Sequence, residues 1–311
     1  MADSGFVVSA GMTADKNSNI YFITYDDKIY SLDFDLKLRW KKEIPLQKSR
    51  SLTFSDLLAV DDGIIIAANT GDVFKYGFDG NVIWKYKSYL SSPKTFCSDK
   101  LGNIYISFTN NEYGKSDTLI SLTKNGTELW RFALPNLRVL TATSLMKGKI
   151  YLSGGVDKDG EKVGITYCID TTGKLLWKSE HTLPGRNITV DHKENVYIAT
   201  NSSGVGEIKT GVLSLDKNGK ERWSLYFGAA IVSQILVSEK YIGFTGITGD
   251  GAAMLFMRKS DGLLVKNHSL SNYPTLYLQP VVFDDASIKI FGSKKLIAVK
   301  FSETLLEKIL P

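Results

Sequence analysis

The sequence predicts an all-β protein, a seven-bladed β-propeller of four-stranded antiparallel blades. Three observations lead to this prediction. A phrase that ends in tryptophan recurs along the chain, and a second phrase with an acidic or glycine turn precedes each copy. No segment shows the i, i+3, i+4 apolar spacing of an amphipathic helix. Self-similar units of this kind are the signature of a repeat architecture.

The first phrase is clearest in SLTKNGTELW, CIDTTGKLLW and SLDKNGKERW, and two looser copies precede these three. Its five tryptophans are separated by 44 to 47 residues and are Trp40, Trp84, Trp130, Trp177 and Trp223. Two degenerate copies extend the series and have Lys266 and Glu307 in the tryptophan position. The series therefore predicts seven repeats.

The second phrase is a turn followed by an alternating strand, as in DKLGNIYISF and DHKENVYIAT. Each repeat divides into four short strands, A to D, joined by Gly, Asn and Asp residues that tolerate tight hairpin turns. Four-stranded units of 40–47 residues are typical of propeller blades. We predict one propeller domain over residues 1–311. Its blades are approximately 1–45, 46–90, 91–136, 137–183, 184–229, 230–270 and 271–311.

The tryptophan on strand D predicts how neighbouring blades pack. A single four-stranded sheet leaves both faces uncovered, and a large ring repeated on each outer strand can cover the next sheet. We expect each indole N–H to donate to a backbone carbonyl of a nearby turn. Because Lys266 and Glu307 replace the ring, we expect the seam of the closed propeller near blades 6, 7 and 1. No strand is left over to be exchanged across that seam.

Composition excludes several classes of protein. A net charge of +5 is too mild to indicate nucleic-acid binding. No apolar run of about 18 residues is present, so we predict no membrane span. The two cysteines, Cys97 and Cys168, lie in apolar runs, and we expect buried free thiols. The first residues, MADSGFVVSAGM, show no secretory signal.

The combined phrase, an aspartate turn with Gly and Trp followed by D-G-x-I/V-Y, resembles the pyrroloquinoline-quinone-like propeller repeat of the quinoprotein and BamB type. The resemblance covers essentially the whole chain and is strongest over residues 31–223. It implies a propeller fold and a location in the cell envelope or outside the cell, with the export signal outside this sequence. Quinone-binding members have eight blades, adjacent cysteines and acidic calcium ligands. This chain departs from all three features, so the resemblance implies a non-catalytic member without the quinone.

A functional surface is expected on one side of the repeats. In a four-strand meander the D→A connections and the B→C turns lie at the same end of the strands, and we call this end the D–A/B–C face. The first four D→A connections hold eleven Lys or Arg residues and two acids. Six of the basic residues follow a tryptophan directly, and we interpret them as solvated residues of an outer strand. They are Lys41, Lys42, Lys85, Lys87, Arg131 and Lys178.

The other five basic residues fall where the chain turns inward, and they are Lys48, Arg50, Lys94, Arg138 and Arg186. Converging basic side chains can hold a carboxylate, a phosphate or an acidic peptide. The alternative interpretation is a solvated rim. The next two connections are aromatic and carry Tyr226, Tyr273 and Tyr277. A face that is basic on one side and aromatic on the other suits a peptide or a sugar chain, although the rings can equally close the seam.

Evidence for a metal or for catalysis is sparse. Asp157, Asp159 and Glu161 form an oxygen-rich cluster like part of a calcium loop, but they do not complete an EF-hand pattern, and a polar hairpin tip is the simpler interpretation. We therefore predict no cofactor, with calcium at this cluster as the alternative. The three histidines, His181, His192 and His268, fall in predicted turns without a partner at ligand spacing.

The favoured function is a non-catalytic, monomeric scaffold that binds a protein segment or a glycan on the D–A/B–C face. The alternative is an enzyme with its site at a central funnel, such as a lyase, a hydrolase or a quinone-dependent dehydrogenase. Carboxylates or histidines that converge on the axis would distinguish the enzyme from the scaffold.

Overall fold

The structure is a computed structural model. It describes residues 11–46, 53–55, 57–90, 92–110, 117–134, 138–158, 161–201, 210–227, 230–231, 234–248, 251–269, 279–282, 287–291 and 296–300. Within these residues all regular structure is β, and no helix has the length and apolarity that a membrane crossing needs. The all-β prediction is confirmed for this part of the chain.

The first three repeats each form a four-stranded antiparallel meander whose strands are neighbours in sequence order. Repeat 1 contains β1 (Thr13–Ala14), β2 (Ile20–Ile23), β3 (Lys28–Leu32) and β4 (Leu38–Glu43). Repeat 2 contains β5 (Leu58–Val60), β6 (Gly63–Ala67), β7 (Asp72–Tyr76) and β8 (Val82–Lys87). Repeat 3 contains β9 (Pro93–Ser98), β10 (Ile104–Phe108), β11 (Asp117–Leu122) and β12 (Glu128–Leu134).

The next two repeats have the same topology. Repeat 4 contains β13 (Arg138–Met146), β14 (Lys149–Lys158), β15 (Glu161–Asp170) and β16 (Leu175–His181). Repeat 5 contains β17 (Gly185–Val190), β18 (Val196–Asn201), β19 (Thr210–Leu215) and β20 (Glu221–Phe227).

The last two repeats are less regular among the described residues. In repeat 6 two short strands, β21 (Ala230–Ile231) and β22 (Leu236–Val237), both pair with β23 (Tyr241–Thr248). The sheet continues with β24 (Gly251–Arg258) and β25 (Leu264–Ser269). Repeat 7 shows three strands, β26 (Gln279–Val282), β27 (Ser287–Phe291) and β28 (Leu296–Lys300). Its expected fourth strand, with Glu307, lies outside the described residues.

Contacts between residues divide the chain into two compact units. Unit 1 is Met1–Val139 with Thr171–Lys174, and unit 2 is Leu140–Asp170 with Leu175–Pro311. The core of both units consists of the B and C strands, which are buried along nearly their whole length, as in Gly63–Ala67 and Thr210–Leu215. The D strands alternate between exposed and half-buried positions, as in Glu221–Phe227.

The five tryptophans make the contact that the sequence predicts. Each indole Nε1 donates to a backbone carbonyl in the C–D turn of the following repeat, at 2.8–3.0 Å. The pairs in unit 1 are Trp40 with Phe78, Trp84 with Lys124 and Trp130 with Thr171. The pairs in unit 2 are Trp177 with Lys217 and Trp223 with Lys259. The predicted acceptor is confirmed in all five cases.

Each indole also lies flat on a glycine of the same turn. A Cβ built on Gly126 would lie 2.7 Å from Cδ2 of Trp84, and the other four turns repeat this close approach. These glycines have φ of +76° to +90°. In repeat 1 the equivalent residue is Leu36, which takes a φ of +62° and is 65% exposed. The left-handed conformation alone therefore tolerates a leucine, and the indole is the reason that the other turns require glycine.

Acidic residues build the A–B turns of repeats 1, 3 and 5 in the same way. In each, Oδ1 of the aspartate accepts two backbone N–H bonds, and Oδ2 accepts from an asparagine and from a tyrosine hydroxyl, as Asp99 does with Asn103 and Tyr105. The tyrosine ring then contacts the tryptophan of its own repeat, with centroids 5.8 Å apart for Tyr105 and Trp130. The second phrase thus supports the tryptophan of the first.

Repeat 2 replaces this tyrosine arrangement with a buried lysine. Lys75 is 2% exposed, pairs with Oδ1 of Asp62 at 2.6 Å and donates to the carbonyl of Lys124 at 3.3 Å. The same carbonyl accepts the indole N–H of Trp84. Lys75 and Trp84 therefore both donate hydrogen bonds to the C–D turn of the next repeat.

The glycine under the indole gives a stability prediction. We expect Gly126→Ala to destabilise the protein by about 2–4 kcal/mol, since it adds overpacking to left-handed strain. The matched control is Gly148→Ala, which has a φ of +72° but no atom within 4 Å of the added Cβ. It should cost only about 1–2 kcal/mol. Urea unfolding of both variants measures the difference, and equal costs would contradict the packing role.

Candidate functional site

Two of the five predicted basic residues have described side chains, and both are held in the same way. Pro93 pairs with Phe108 and Thr95 with Ser107, so Lys94 is an extra, unpaired residue in the ladder. In repeat 5 the register shifts likewise between Gly185 and Asn187, leaving Arg186 as the extra residue.

Both side chains are exposed. A β-bulge re-aims the side chain at its extra residue and is over-represented beside functional sites. The structure therefore gives Lys94 in unit 1 and Arg186 in unit 2 the same local presentation at the start of strand A.

The remaining predicted binding residues are only partly described. Arg138 begins β13, but its side chain is not described, and Lys48, Arg50, Tyr273 and Tyr277 lie outside the described residues. Tyr226 is 44% exposed, and its ring lies against Gly211 of the neighbouring strand, where an added Cβ would meet the ring at 2.7 Å. Their joint role in binding stays a prediction.

Several basic residues that follow a tryptophan are tied to the outer strands. Lys85 and Lys87 both pair with Asp72, at 3.0 and 2.9 Å. Arg131 donates to Glu128 and, at 2.9 Å, to the hydroxyl of Tyr86. Glu128 and Tyr86 are themselves hydrogen-bonded. Three of the six residues thus form ion pairs with acids of the same or the adjacent strand.

Two exposed tyrosines on the D–A/B–C face were not predicted from the sequence. Tyr25 lies in the B–C turn of repeat 1 and is 72% exposed, and Tyr89 lies in the D→A connection of repeat 2 and is 86% exposed. Tyr89 has a φ of +60°, and Ser92, beside Lys94, has a φ of +52°. Strained non-glycine residues of this kind concentrate at functional sites. Left-handed backbone at a tyrosine or serine has no reliable sequence signal.

A pocket of about 290 Å³ lies beside Lys94 in unit 1. Its lining includes Thr53, Phe54 and Ser55 from repeat 2 and Asn69 from the following B–C turn. Lys94 was predicted from the sequence, whereas the other lining residues were not. Hydroxyl, amide and ammonium groups make this pocket polar.

The oxygen-rich cluster of repeat 4 is described only by its backbone. Asp157 pairs with Lys162 and Lys158 with Glu161 in the β14–β15 hairpin, so Asp157 and Glu161 are not cross-strand partners. Asp159 lies outside the described residues. Calcium binding at this cluster stays a prediction.

The described thiols are buried, and the imidazole of His181 is hydrogen-bonded. Cys97 and Cys168 are buried free thiols, as predicted, and burial raises the pKa of Cys168 to about 12. His181 and His268 end up in strands β16 and β25, so their predicted turn positions are wrong. The hairpin strands of these repeats extend further than expected.

His181 has partners at both ring nitrogens. Nδ1 lies 2.7 Å from the carbonyl of Leu183, and Nε2 lies 3.0 Å from the hydroxyl of Thr166. Burial lowers the pKa of His181. Because a carbonyl only accepts, Nδ1 carries the proton, and Nε2 faces the Thr166 hydroxyl, which also contacts Ser153. This histidine is a packed structural residue.

Asp191 is the buried acid of the A–B turn in repeat 5. Burial acts to raise its pKa, but hydrogen bonds from Asn195 and the ammonium of Lys259, 3.1 Å away, lower it to about 2. The two charged side chains are 1% and 9% exposed. Perturbed acids often mark catalytic sites, but structural ion pairs perturb pKa values equally. The partners of Asp191 are structural, and it lies in the turn opposite the D–A/B–C face.

Comparisons with solved structures decide the fold. The structure of BamB from Moraxella catarrhalis matches with a TM-score of 0.68 and 15% sequence identity over 95% of this chain and 83% of that one. The structure of the Dos1 propeller matches with a TM-score of 0.67 and 13% identity over 92% and 75%. The fold is a β-propeller. No protein-family model and no curated protein sequence matches this propeller, and identities this low carry no statement about its activity.

The Asp191–Lys259 pair predicts a pH-dependent contribution to propeller stability. The lowered pKa means that ionised Asp191, through its hydrogen bonds from Asn195 and its ion pair with Lys259, stabilises the fold above about pH 3.9, the ordinary value for aspartate. This stability is lost as the pH falls through about 2. The contribution at neutral pH is about 2 kcal/mol.

We expect Asp191→Asn to destabilise the protein by about 2–3 kcal/mol at pH 7, since an amide N–H₂ would face the donors that now bind Oδ2. Urea unfolding at pH 7 and near pH 2 measures the gap between wild type and variant, which should narrow at the lower pH. A gap that is constant with pH would contradict the ion-pair assignment.

Proposed function

We propose that this chain is a non-catalytic, seven-bladed propeller scaffold that holds a protein segment or a glycan on its D–A/B–C face. The observation that carries the proposal is the pair of bulged, exposed basic residues, Lys94 and Arg186, at the same position of repeats 3 and 5. Loops and strand ends on a rigid scaffold are the usual place for binding residues.

Seven blades are supported by the sheets of the described residues. Each of the seven sheets falls within one of the seven repeat segments, and five of them have four strands. The split strand A of repeat 6 falls in a repeat that lacks the tryptophan and has Lys266 in its place. We propose a single propeller domain whose seam lies near repeats 6, 7 and 1.

Binding rather than catalysis is supported by the chemistry of the described groups. A thiol whose pKa is raised by burial stays protonated and is a poor nucleophile, which applies to Cys97 and Cys168. His181 is neutral and hydrogen-bonded at both nitrogens. By contrast, Lys94, Arg186, Tyr25 and Tyr89 are exposed, and arginine and aromatic side chains are enriched at recognition surfaces.

The proposal also covers the location and the oligomeric state of the protein. The resemblance of the repeat phrase to the BamB type implies a place in the cell envelope or outside the cell, and the structural likeness to BamB agrees with it. We propose an extracytoplasmic, monomeric protein whose partner is a protein or glycan.

A charge-reversal variant tests the face. The wild-type protein is first screened against phage-displayed random dodecapeptides and a glycan array, and the strongest ligand is retained. Changing Arg50, Lys94, Arg138 and Arg186 to Glu should weaken that ligand at least about 100-fold, because like charges oppose a ligand selected by the basic face. The melting temperature should change little, since the described members of the set are exposed.

The matched control changes four lysines of the A–B turns, at the other end of the strands, to Glu. They are Lys16, Lys100, Lys147 and Lys193, all exposed. This variant has the same charge change and should retain binding. Equal loss of binding in both variants would mean that the effect comes from the change in net charge and not from the D–A/B–C face. Absence of any ligand in either screen would overturn the binding function.

A further inference from the structure

The pocket beside Lys94 is built from two consecutive repeats of unit 1. Its volume is about 290 Å³, which suits one side chain better than a whole cofactor. The residues that matter for recognition are Thr53, Phe54, Ser55, Asn69, Ser92 and Lys94. Phe54 is half-buried and supplies the apolar part of the wall.

Backbone hydrogen bonds hold the walls together. The N–H of Asn69 donates to the carbonyl of Thr53 at 2.9 Å, and the N–H of Thr53 donates back to Oδ1 of Asn69 at 3.2 Å. The N–H of Ser92 donates to the carbonyl of Asn69 at 3.4 Å. Asn69 therefore joins the segment that precedes strand A of repeat 2 to the start of repeat 3. A pocket fixed in this way pays little ordering cost when a ligand binds.

The charge of the pocket has one sign. Among the described residues, no acidic side chain lines it. Within the part of the chain that the structure describes, Lys94 has no ion-pair partner. The other basic residues of this region behave differently, since Lys85 and Lys87 are paired with Asp72.

The backbone around Lys94 is also unusual. Lys94 is the extra residue of a bulge, and Ser92, two residues earlier, has a left-handed φ of +52°. Both features turn this segment out of the regular ladder. The left-handed conformation of Ser92 is strained, and the surrounding structure must hold it in place. The cavity, the unpaired ammonium and the strained segment are three separate observations at one place.

We propose that this pocket binds the carboxylate of an aspartate or glutamate side chain in an extended protein segment, with the Lys94 ammonium as its ion-pair partner. The hydroxyl-rich wall accommodates the remaining polar atoms, and Phe54 contacts the methylene of the bound side chain. A neutral sugar would leave the ammonium without a counter-charge, so the charge of the pocket favours the acidic peptide over a glycan. This inference rests on the proposed binding function of the D–A/B–C face.

The experiment uses the full chain and the dodecapeptides selected by phage display. The selected peptides should be enriched in Asp or Glu, and replacing the key acid with Asn or Gln should weaken binding at least about tenfold. Lys94→Gln should weaken the wild-type peptide by a similar factor and should bind the neutral peptide as well as wild type does. Lys94→Arg should retain most of the affinity, and Lys100→Gln, an exposed lysine of the A–B turn, should retain all of it.

The outcomes separate this inference from the proposed function. One outcome is a peptide that binds wild type and Lys94→Gln with equal affinity but fails to bind the four-residue Glu variant. That result would support the binding face and overturn the pocket assignment. Selected peptides without acids, or binding by the glycan array alone, overturn the acidic-peptide ligand. If neither Lys94→Gln nor the four-residue Glu variant loses binding to any ligand, both proposals are overturned.

Discussion

An indole ring resting on a glycine turn is the interaction on which the rest of this propeller depends. In five repeats the ring lies on the C–D turn of the next repeat and donates its N–H to a carbonyl there. One contact thus buries apolar surface, satisfies a polar group and connects each tryptophan strand to a turn of the following repeat. Its cost is a glycine in a left-handed conformation at each turn.

The other conspicuous contacts serve the same joint. Tyr105 contacts Trp130 from within its own repeat and is held by Asp99. Lys75 donates to the carbonyl that also accepts Trp84. Lys259, whose own carbonyl accepts Trp223, extends its ammonium to Asp191 of the preceding repeat. Buried charges, which are costly in isolation, are tolerated here because each has a partner and a structural position.

The sequence contains most of the fold because the joint is made of residues that are rare elsewhere. Tryptophan and glycine at a fixed spacing identify both sides of the contact. Leu36 occupies the glycine position of repeat 1, and no tryptophan of the series precedes that repeat in the sequence. Lys75 could not be assigned from sequence, because a lysine in an apolar strand gives no sign of its burial. Its partners, Asp62 and the carbonyl of Lys124, come from another turn and another repeat.

The candidate site was accessible to sequence reasoning only in part. Lys94 and Arg186 were identified because both lie five residues before the aspartate of the second phrase, and that spacing reflects a shared bulge. The pocket was not, because it depends on the bridge between Phe54 and Ala68 and on the left-handed backbone of Ser92. Neither the bridge nor the left-handed backbone can be predicted from the residue types involved. Recognition chemistry is thus set by local backbone geometry on a scaffold that the repeats specify.

A double-mutant cycle on Trp84 and Gly126 tests the central joint most directly. If the indole is the reason for the glycine, Gly126→Ala should cost about 1–2 kcal/mol in a Trp84→Ala background, the left-handed strain alone. The coupling between the two sites should then be at least about 1 kcal/mol by urea unfolding. Additive costs, with no coupling between ring and turn, would contradict the account.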